Sequence, residues 1–420
     1  MTISEASNPT PSAGAVCFLG KEGAYWRLRL KGAVLLLLTF GLYRFWFLTD
    51  VRRFLWSNTT IDGDPLEYSG LATELLGGFL LATAILLPLY VALAGAAMAF
   101  DGAEVVVAFG TILLLTLLGH FARYRARRYR LTRTVLRGVC FDQRGAAWRY
   151  ALLASAWWIV TFATLGLAYP WAQAALQRYK MRHTGYGDLA GGFAGTGWSL
   201  FRRGVVIWLL VVAPIGLAVF FLATGVDWDL LDEMLVANSD KDPFVLLVAN
   251  IGFHGVLRIT AALGGSVLAG AVLYPLFQAT VFRWWMSGLR FGPLRVVSHL
   301  RIAQVYGIYL RFMACIVVFA MFVLWLVSVA LHAGGGLPSR HGGAASNDIA
   351  IMGLGLGCYV LFALGASAIY QVTVTFTTWR LAAQSAELIG ADALDTVRAV
   401  GASGSALGEG LVDALGVGGI

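Results

Sequence analysis

Charge is scarce in this chain: 13% of its 420 residues are Asp, Glu, Lys or Arg, while 59% are hydrophobic. Soluble domains are roughly a quarter charged and just under half apolar, so a soluble globular fold is excluded. Together with a mean hydropathy of +0.74, this predicts a polytopic membrane protein. Lysine is nearly absent, with only Lys21, Lys31, Lys180 and Lys241, so the net charge of +8 rests on guanidinium. Cys17, Cys140, Cys315 and Cys358 stand alone, which excludes a Cys-x-x-Cys pair and argues against a disulfide framework or structural zinc site. Residues 1 to 15 hold Ser, Pro and Thr but no apolar run, so no cleavable signal peptide is expected and the first apolar segment is retained. A Gly-rich phosphate loop, a Ser-His-Asp set and paired carboxylates are also missing. An enzyme is therefore disfavoured, and no catalytic residue, metal or cofactor is expected.

What is present is an internal repeat. Thr39, Gly41, Leu42, Trp46, Arg53, Phe54 and Thr59 return as Thr164, Gly166, Leu167, Trp171, Arg178, Tyr179 and Thr184, at a constant offset of 125. Gly23-Ala24-Tyr25-Trp26-Arg27 returns as Gly145-Ala146-Ala147-Trp148-Arg149, and Pro88 and Asp101 as Pro214 and Asp227. Residues 17 to 101 are thus rewritten at 140 to 227, and duplicated membrane segments are a common way of building transporters.

Eight apolar stretches can be marked, at 32–49, 71–100, 105–121, 150–172, 204–224, 256–282, 312–331 and 349–376. A membrane crossing needs about 20 residues. The basic stretches 123–149, 176–203 and 283–311 belong on the cytoplasmic side, and the acidic connection holding Asp227, Asp229, Asp232, Glu233, Asp240 and Asp242 belongs outside, as does that of Asp101 and Glu104. Segments 32–49 and 150–172 then have basic connections on both sides. One reading makes both re-entrant or interface-lying, interrupted at Thr-x-Gly-Leu; the other is a conventional eight-span protein. The alternation Tyr25–Lys31 predicts a strand or interfacial ribbon. An Asp-Gly turn within Thr59–Tyr68 predicts a hairpin, with Leu136-Arg137-Gly138-Val139 as its counterpart.

The expected fold is thus an all-α polytopic membrane protein: a tandem-repeat helical bundle with six to eight membrane segments and small cytoplasmic β-hairpins. Its divisions are a polar tail at 1–16, membrane repeat 1 at 17–130, membrane repeat 2 at 131–290, a third helical hairpin at 291–382 and an Ala/Gly-rich, loosely held C-terminal tail at 383–420. Both termini are expected in the cytoplasm.

Phe18-Leu19-Gly20, Thr39-Phe40-Gly41-Leu42-Tyr43-Arg44-Phe45-Trp46, Arg53-Phe54, Thr59, Gly63 and Tyr68-Ser69-Gly70 resemble the signature of the YjgN-like family of bacterial inner-membrane proteins, a domain of unknown function. The resemblance is strongest over 17–70, fair to about 210 and weak beyond, with Ala168 replacing the motif tyrosine in the second copy. It implies a multi-pass protein of the bacterial inner membrane and carries over no substrate, activity or site.

The candidate residues come from placement alone. Asn250, His254 and Arg258, spaced by four, would share one helical face, either lining a pathway or lying on an outer helix with Arg258 snorkelling. Glu74 is either an interface residue or a buried partner for Arg or substrate. Trp46 and Trp171 read as interface anchors, and Arg53 and Arg178 as their cationic neighbours or as an anion site. Arg125, Arg127, Arg128 and Arg130 form a lipid-facing basic cluster suited to anionic phospholipid headgroups; the membrane surface is a better partner for it than nucleic acid. His332 and His341 flank a loop at Gly334-Gly335-Gly336 with Asp348 nearby, which reads as a flexible tip before it reads as a metal site. The leading functional expectation is a non-enzymatic transporter or channel-like protein for a small solute. The alternative is a membrane-organising or sensing protein whose Arg-rich face binds anionic lipid or a soluble partner.

Overall fold

A computed structural model of the chain describes residues 13–99, 104–238, 241–333 and 344–400. The expected tail up to residue 12, Asp101, Asp240, Gly334 to Gly336, His341 and the tail beyond 400 lie outside them, as do the side chains of Glu104 and Asp348.

The order of elements begins with β1 (Ala13–Phe18), α1 (Glu22–Leu38), α2 (Arg44–Ser57), β2 (Thr59–Ile61), β3 (Asp64–Pro65), β4 (Glu67–Tyr68), α3 (Ala72–Ala99) and α4 (Glu104–Thr132). It continues with β5 (Thr134–Leu136), β6 (Val139–Gln143), α5 (Ala147–Ala163), α6 (Tyr169–Arg182), β7 (Thr184–Tyr186), β8 (Leu189–Phe193), α7 (Gly197–Gly225), α8 (Trp228–Ala237) and α9 (Pro243–Gly288). It closes with β9 (Leu289–Phe291), β10 (Leu294–Ser298), α10 (Ile302–Ala333), α11 (Ala344–Tyr370), a π-helical stretch Gln371–Phe376, α12 (Thr377–Ser385), β11 (Ala386–Ile389) and a 3₁₀ turn Ala391–Leu394.

Among the described residues six helices are long and apolar enough to cross a membrane: α3, α4, α7, α9, α10 and the run Met352–Ser385. Leu80, Ile85, Leu113, Val219 and Leu324 are exposed on them. An apolar surface of that extent belongs in hydrocarbon, and the chain is a helical membrane protein. The other two apolar stretches are not single helices. Each is a 17-residue helix, a turn and a 14-residue helix, α1–α2 and α5–α6. Neither pair is among the helices long and apolar enough to cross a membrane, so six crossings are the number that length and composition support.

The expectation of an all-α fold is corrected by the strands. They form one sheet in the order β3-β2-β1-β11-β10-β9-β8-β7-β6-β5-β4, and every neighbouring pair is antiparallel. Its two end members, β3 and β4, are separated only by Leu66, whose N–H still donates to Thr59 O at 2.9 Å. One edge of residues 64–68 therefore pairs with β2 and the other with β5, and the sheet closes into a ring. Closure removes the free edges that invite aggregation. The chain reverses at one rim through four two-residue turns, Asp62-Gly63, Arg137-Gly138, Gly187-Asp188 and Gly292-Pro293, and enters helices at the other. Asp62, Gly63, Arg137 and Gly138 all have φ between 51° and 90°, the type I′ geometry that matches strand twist. The hairpins are parts of this ring and not separate caps.

Two further expectations are corrected. Tyr25–Lys31 is helical, within α1, where Tyr25, Arg29 and Gly32 stack at helical spacing and Arg29 donates to the Tyr25 hydroxyl at 2.8 Å. The described start of the tail is not a loose helix, since β11 pairs with β1 on one side and β10 on the other.

The described residues form two compact units, one from Met1–Ser155, Leu176–Ala194 and Trp285–Ile420, the other from Ala156–Ala175 and Gly195–Trp284. The first holds the ring. Its core joins Phe18, Tyr25, Leu55, Trp56, Leu136, Tyr186, Leu294, Val372, Phe376 and Leu394, so strand and helix side chains pack together in one cluster.

Candidate functional site

The two Thr-x-Gly-Leu breaks have the same geometry. Phe40 and Leu165 sit at φ 50° and 49°, followed by Gly41 and Gly166 at 90° and 88°. Thr39 Oγ1 donates to Leu35 O at 2.7 Å and accepts from Tyr43 N at 3.0 Å. Thr164 Oγ1 donates to Val160 O at 2.8 Å and accepts from Ala168 N at 3.1 Å. Gly41 N and Gly166 N reach back to Leu36 O and Thr161 O at 2.8 and 2.7 Å. Two successive residues of positive φ end a helix sharply, and the threonine supplies the partners the break removes.

In the second unit, the second break forms one wall of a pocket of about 360 Å³. Thr161, Gly166, Leu167 and Pro170 face Phe201, Gly204 and Trp208 of α7 and Gly270, Leu273 and Phe277 of α9. Trp208 Nε1 donates to Leu165 O at 2.8 Å, satisfying a carbonyl that the break leaves free. Thr161 Oγ1 is spent on Trp157 O, and the Tyr274 hydroxyl accepts from Gln278. The lining that remains is hydrocarbon and aromatic, and the volume is in the range of small-ligand sites. Beside the lining residues Phe201 and Gly204, Arg202 and Arg203 are exposed, with no ion pair or hydrogen bond among the described residues.

In the first unit, the arginine run has a task other than a free lipid-facing cluster. Arg125, Arg127, Arg128 and Arg130 are half-buried, while Arg123, Arg144 and Arg149 are exposed. Arg127 donates to Gln143 Oε1 at 3.2 Å and Thr184 Oγ1 at 3.1 Å. Arg128 donates to Gly145 O at 2.5 Å, and Arg125 lies over the Phe121 ring. Arg127 and Arg128 tie the end of α4 to the ring, and Arg127 also reaches the Met181 sulfur of α6. Lys180 of α6 meets Arg127 and Arg130; loss of hydration and then the two guanidinium charges lower its pKa to about 7. No acceptor for its ammonium lies within hydrogen-bonding distance among the described residues. At the turns of the ring, Arg137 binds Asp64 at 2.5 Å, Asp395 at 2.6 Å and Asp62 at 3.2 Å, and the Asp64 and Asp395 carboxylates raise its pKa.

The remaining candidates scatter. Glu74 is a structural partner, bonded to Arg133 at 2.6 Å and the Tyr129 hydroxyl at 2.7 Å. Arg53 is exposed and donates to Gly70 O, and Arg178 is exposed on α6; no bond joins the two. Trp46 stacks on Tyr43, and Trp171 packs on Phe201 at 5.1 Å, both partly exposed. Asn250 clamps the Asp227 backbone, accepting from its N and donating to its O, each at 3.0 Å. His254 and Arg258 are exposed beyond Gly252, whose φ of 70° and ψ of 170° break α9, so the three do not share one continuous helical face.

Sequence reasoning missed Arg52. It is 2% exposed and donates to the Tyr68 hydroxyl at 3.2 Å. The signal was there: Phe45, Thr49, Arg52 and Trp56 follow one face of α2 and are all buried, and Arg53 is off that stripe. It also missed that Thr59, Thr134 and Thr184, each the first residue of a strand, each back-bond to the carbonyl four residues earlier and accept from Trp379, Trp56 and Arg127 respectively.

No curated protein and no solved structure matches this chain. A family model does, over residues 13–414, which takes in the ring, both Thr-x-Gly-Leu breaks and all six long helices. The chain therefore belongs to the family of bacterial proteins of unknown function DUF898, the YjgN family.

Proposed function

We propose that this is a non-enzymatic protein of the bacterial inner membrane that binds an anionic lipid, seating acyl chain in the pocket of the second unit and its headgroup on Arg202 and Arg203. The observation that carries the reading is the apolar pocket of about 360 Å³ among long apolar helices, with two exposed guanidinium groups next to its lining in sequence. Hydrocarbon fills such a space at no cost in hydrogen bonds, and Arg pairs bidentately with phosphate. The basic segments and both termini are on the cytoplasmic side in this reading, and a duplication of the unit at 17–101 accounts for the two equal breaks. Passage of a small solute is the second reading. It is favoured by the interruption of α9 at Gly252 and by Pro88, Pro214 and Pro275 inside long helices, since interrupted helices frequent transporter pathways. The engagement of Glu74 and Asn250 weighs against a polar passage lined by them.

The pocket can be filled without a clash, because a Cβ at Gly204 or Gly270 meets no atom within 4 Å. The chain carrying Gly204→Leu and Gly270→Leu should purify folded yet lose bound phosphatidylglycerol in native mass spectrometry. Arg202→Gln with Arg203→Gln should abolish the preference for phosphatidylglycerol over phosphatidylcholine. Equal lipid retention by wild type and the filled variant would overturn the reading.

A further inference from the structure

Residues 390–398 follow β11 out of the ring at the rim that carries the four turns, and bend back across that rim. Leu394 is buried against the ring core with Leu136, Tyr186 and Leu294, and Val397 packs beside it. Two of the four turns are bonded to this segment, and the start of β1 packs against it. Arg137 of the second turn binds Asp395 while also holding Asp62 and Asp64 of the first hairpin. Arg398 N donates to Asp188 Oδ1 of the third at 3.2 Å. A Cβ at Gly187 would meet Arg398 O at 2.4 Å, and one at Gly14 would meet the Ala391 Cβ at 2.7 Å.

The way this segment is held differs from the way the strands are held. β11 is laddered on both sides. The backbone bonds of 390–395, Ala393 N to Gly390 O and Asp395 N to Asp392 O, only curl the segment on itself. The contacts that tie it to the rim include two apolar anchors three residues apart, the Arg398 N bond to Asp188 and a carboxylate that is 68% exposed. An ion pair with that much solvent around it is weak. A recess of about 320 Å³, lined by Arg137, Val139, Tyr186, Leu394, Asp395 and Val397, remains between the segment and the wall, so its packing there is incomplete.

We propose that residues 390–398 are a releasable strap over the mouth of the ring, with Arg137 as its latch, and that the mouth beneath is a binding surface for a peptide of the strap's own chemistry. That chemistry is a pair of apolar anchors followed or flanked by a carboxylate, as in Leu394-Asp395-Thr396-Val397. In the resting chain the strap occupies this surface itself. Release exposes Leu136, Tyr186 and Leu294, and a segment from another protein with the same pattern takes the vacated place.

The test uses the full chain with its four cysteines changed to serine and one reporter added, Leu394→Cys in the strap or Leu55→Cys in the ring core, where Leu55 is fully buried. Maleimide labelling of residue 394 should be slow, and at least tenfold faster with Arg137→Gln or with Gly187→Ala, which displaces the strap by bulk alone. Residue 55 should stay protected in all of them. A synthetic peptide of residues 389–399 should bind a chain carrying Asp395→Asn, whose strap has lost its carboxylate while Arg137 stays in the mouth, and raise labelling at residue 394 further, while the chain with an intact latch binds it at least tenfold more weakly. If residue 394 stays as protected as residue 55 in both variants, the segment is a fixed part of the core and the proposal fails. It also fails if both reporters become reactive together, which is unfolding, or if the freed strap labels quickly but the peptide does not bind.

Discussion

Lys180 is held where its charge is least welcome, beside Arg127 and Arg130 and short of water, and its pKa falls to about 7. In the unfolded chain the same ammonium titrates near 10.4. Between those values the unfolded state binds the extra proton, so stability rises with pH across that window. Lowering the pH from 10 to 7 builds up the penalty this group imposes on the folded state, and below 7 the folded state is protonated as well and the penalty levels off. Lys180→Met keeps the stem and deletes the charge. It should raise Tm at pH 7.5, leave it nearly unchanged at pH 10.5, and flatten the profile between them; an unchanged slope in detergent-solubilised protein would place the pH response elsewhere. Arg52 makes the complementary point. It is buried with its head on a tyrosine hydroxyl and ring, while its neighbour Arg53, one residue on, is exposed. A 100° step around a helix separates a structural cation from a surface one.

At the scale of elements, the two interrupted segments owe their shape to one turn used twice. Gly41 has φ 90° and open space around its missing Cβ, so a substitution there acts through the backbone alone. Gly41→Ala should destabilise by about 1 to 2 kcal/mol, the usual cost of a non-glycine residue in that conformation. Thermal unfolding measures it, and Gly23→Ala, in ordinary helix with open space at its Cβ, should cost nothing. Equal Tm values for the two variants would show that the turn does not require glycine. The same break defines the pocket in the second unit, because ending α5 at Ala163 frees Leu165 O for Trp208 and leaves the space that Gly204 and Gly270 keep open.

The whole molecule depends on ring closure. Leu388 of β11 lies opposite Gly14 on one side and Val296 on the other, so its N–H has a ladder partner whichever way it points. Leu388→Pro should therefore cost at least about 3 kcal/mol and broaden or abolish the thermal transition, whereas a sheet with an open edge at β11 would tolerate it. The membrane helices, the breaks at Thr39 and Thr164 and the turns at Asp62-Gly63 and Arg137-Gly138 were legible in the sequence, because each is set by residues within a few positions: twenty apolar side chains in a row, or a pair able to hold positive φ. The ring was not. Its strands are two to six residues long, too short for an alternating pattern to register, and β1 finds β11 from the other end of the chain. Which arginines pair with carboxylates, which are buried struts and which stay exposed is decided only once those distant strands pair, because a guanidinium's role depends on the carboxylates, carbonyls and rings that tertiary contacts bring to it. Local chemistry wrote the helices and turns, and non-local hydrogen bonding and packing chose how they close.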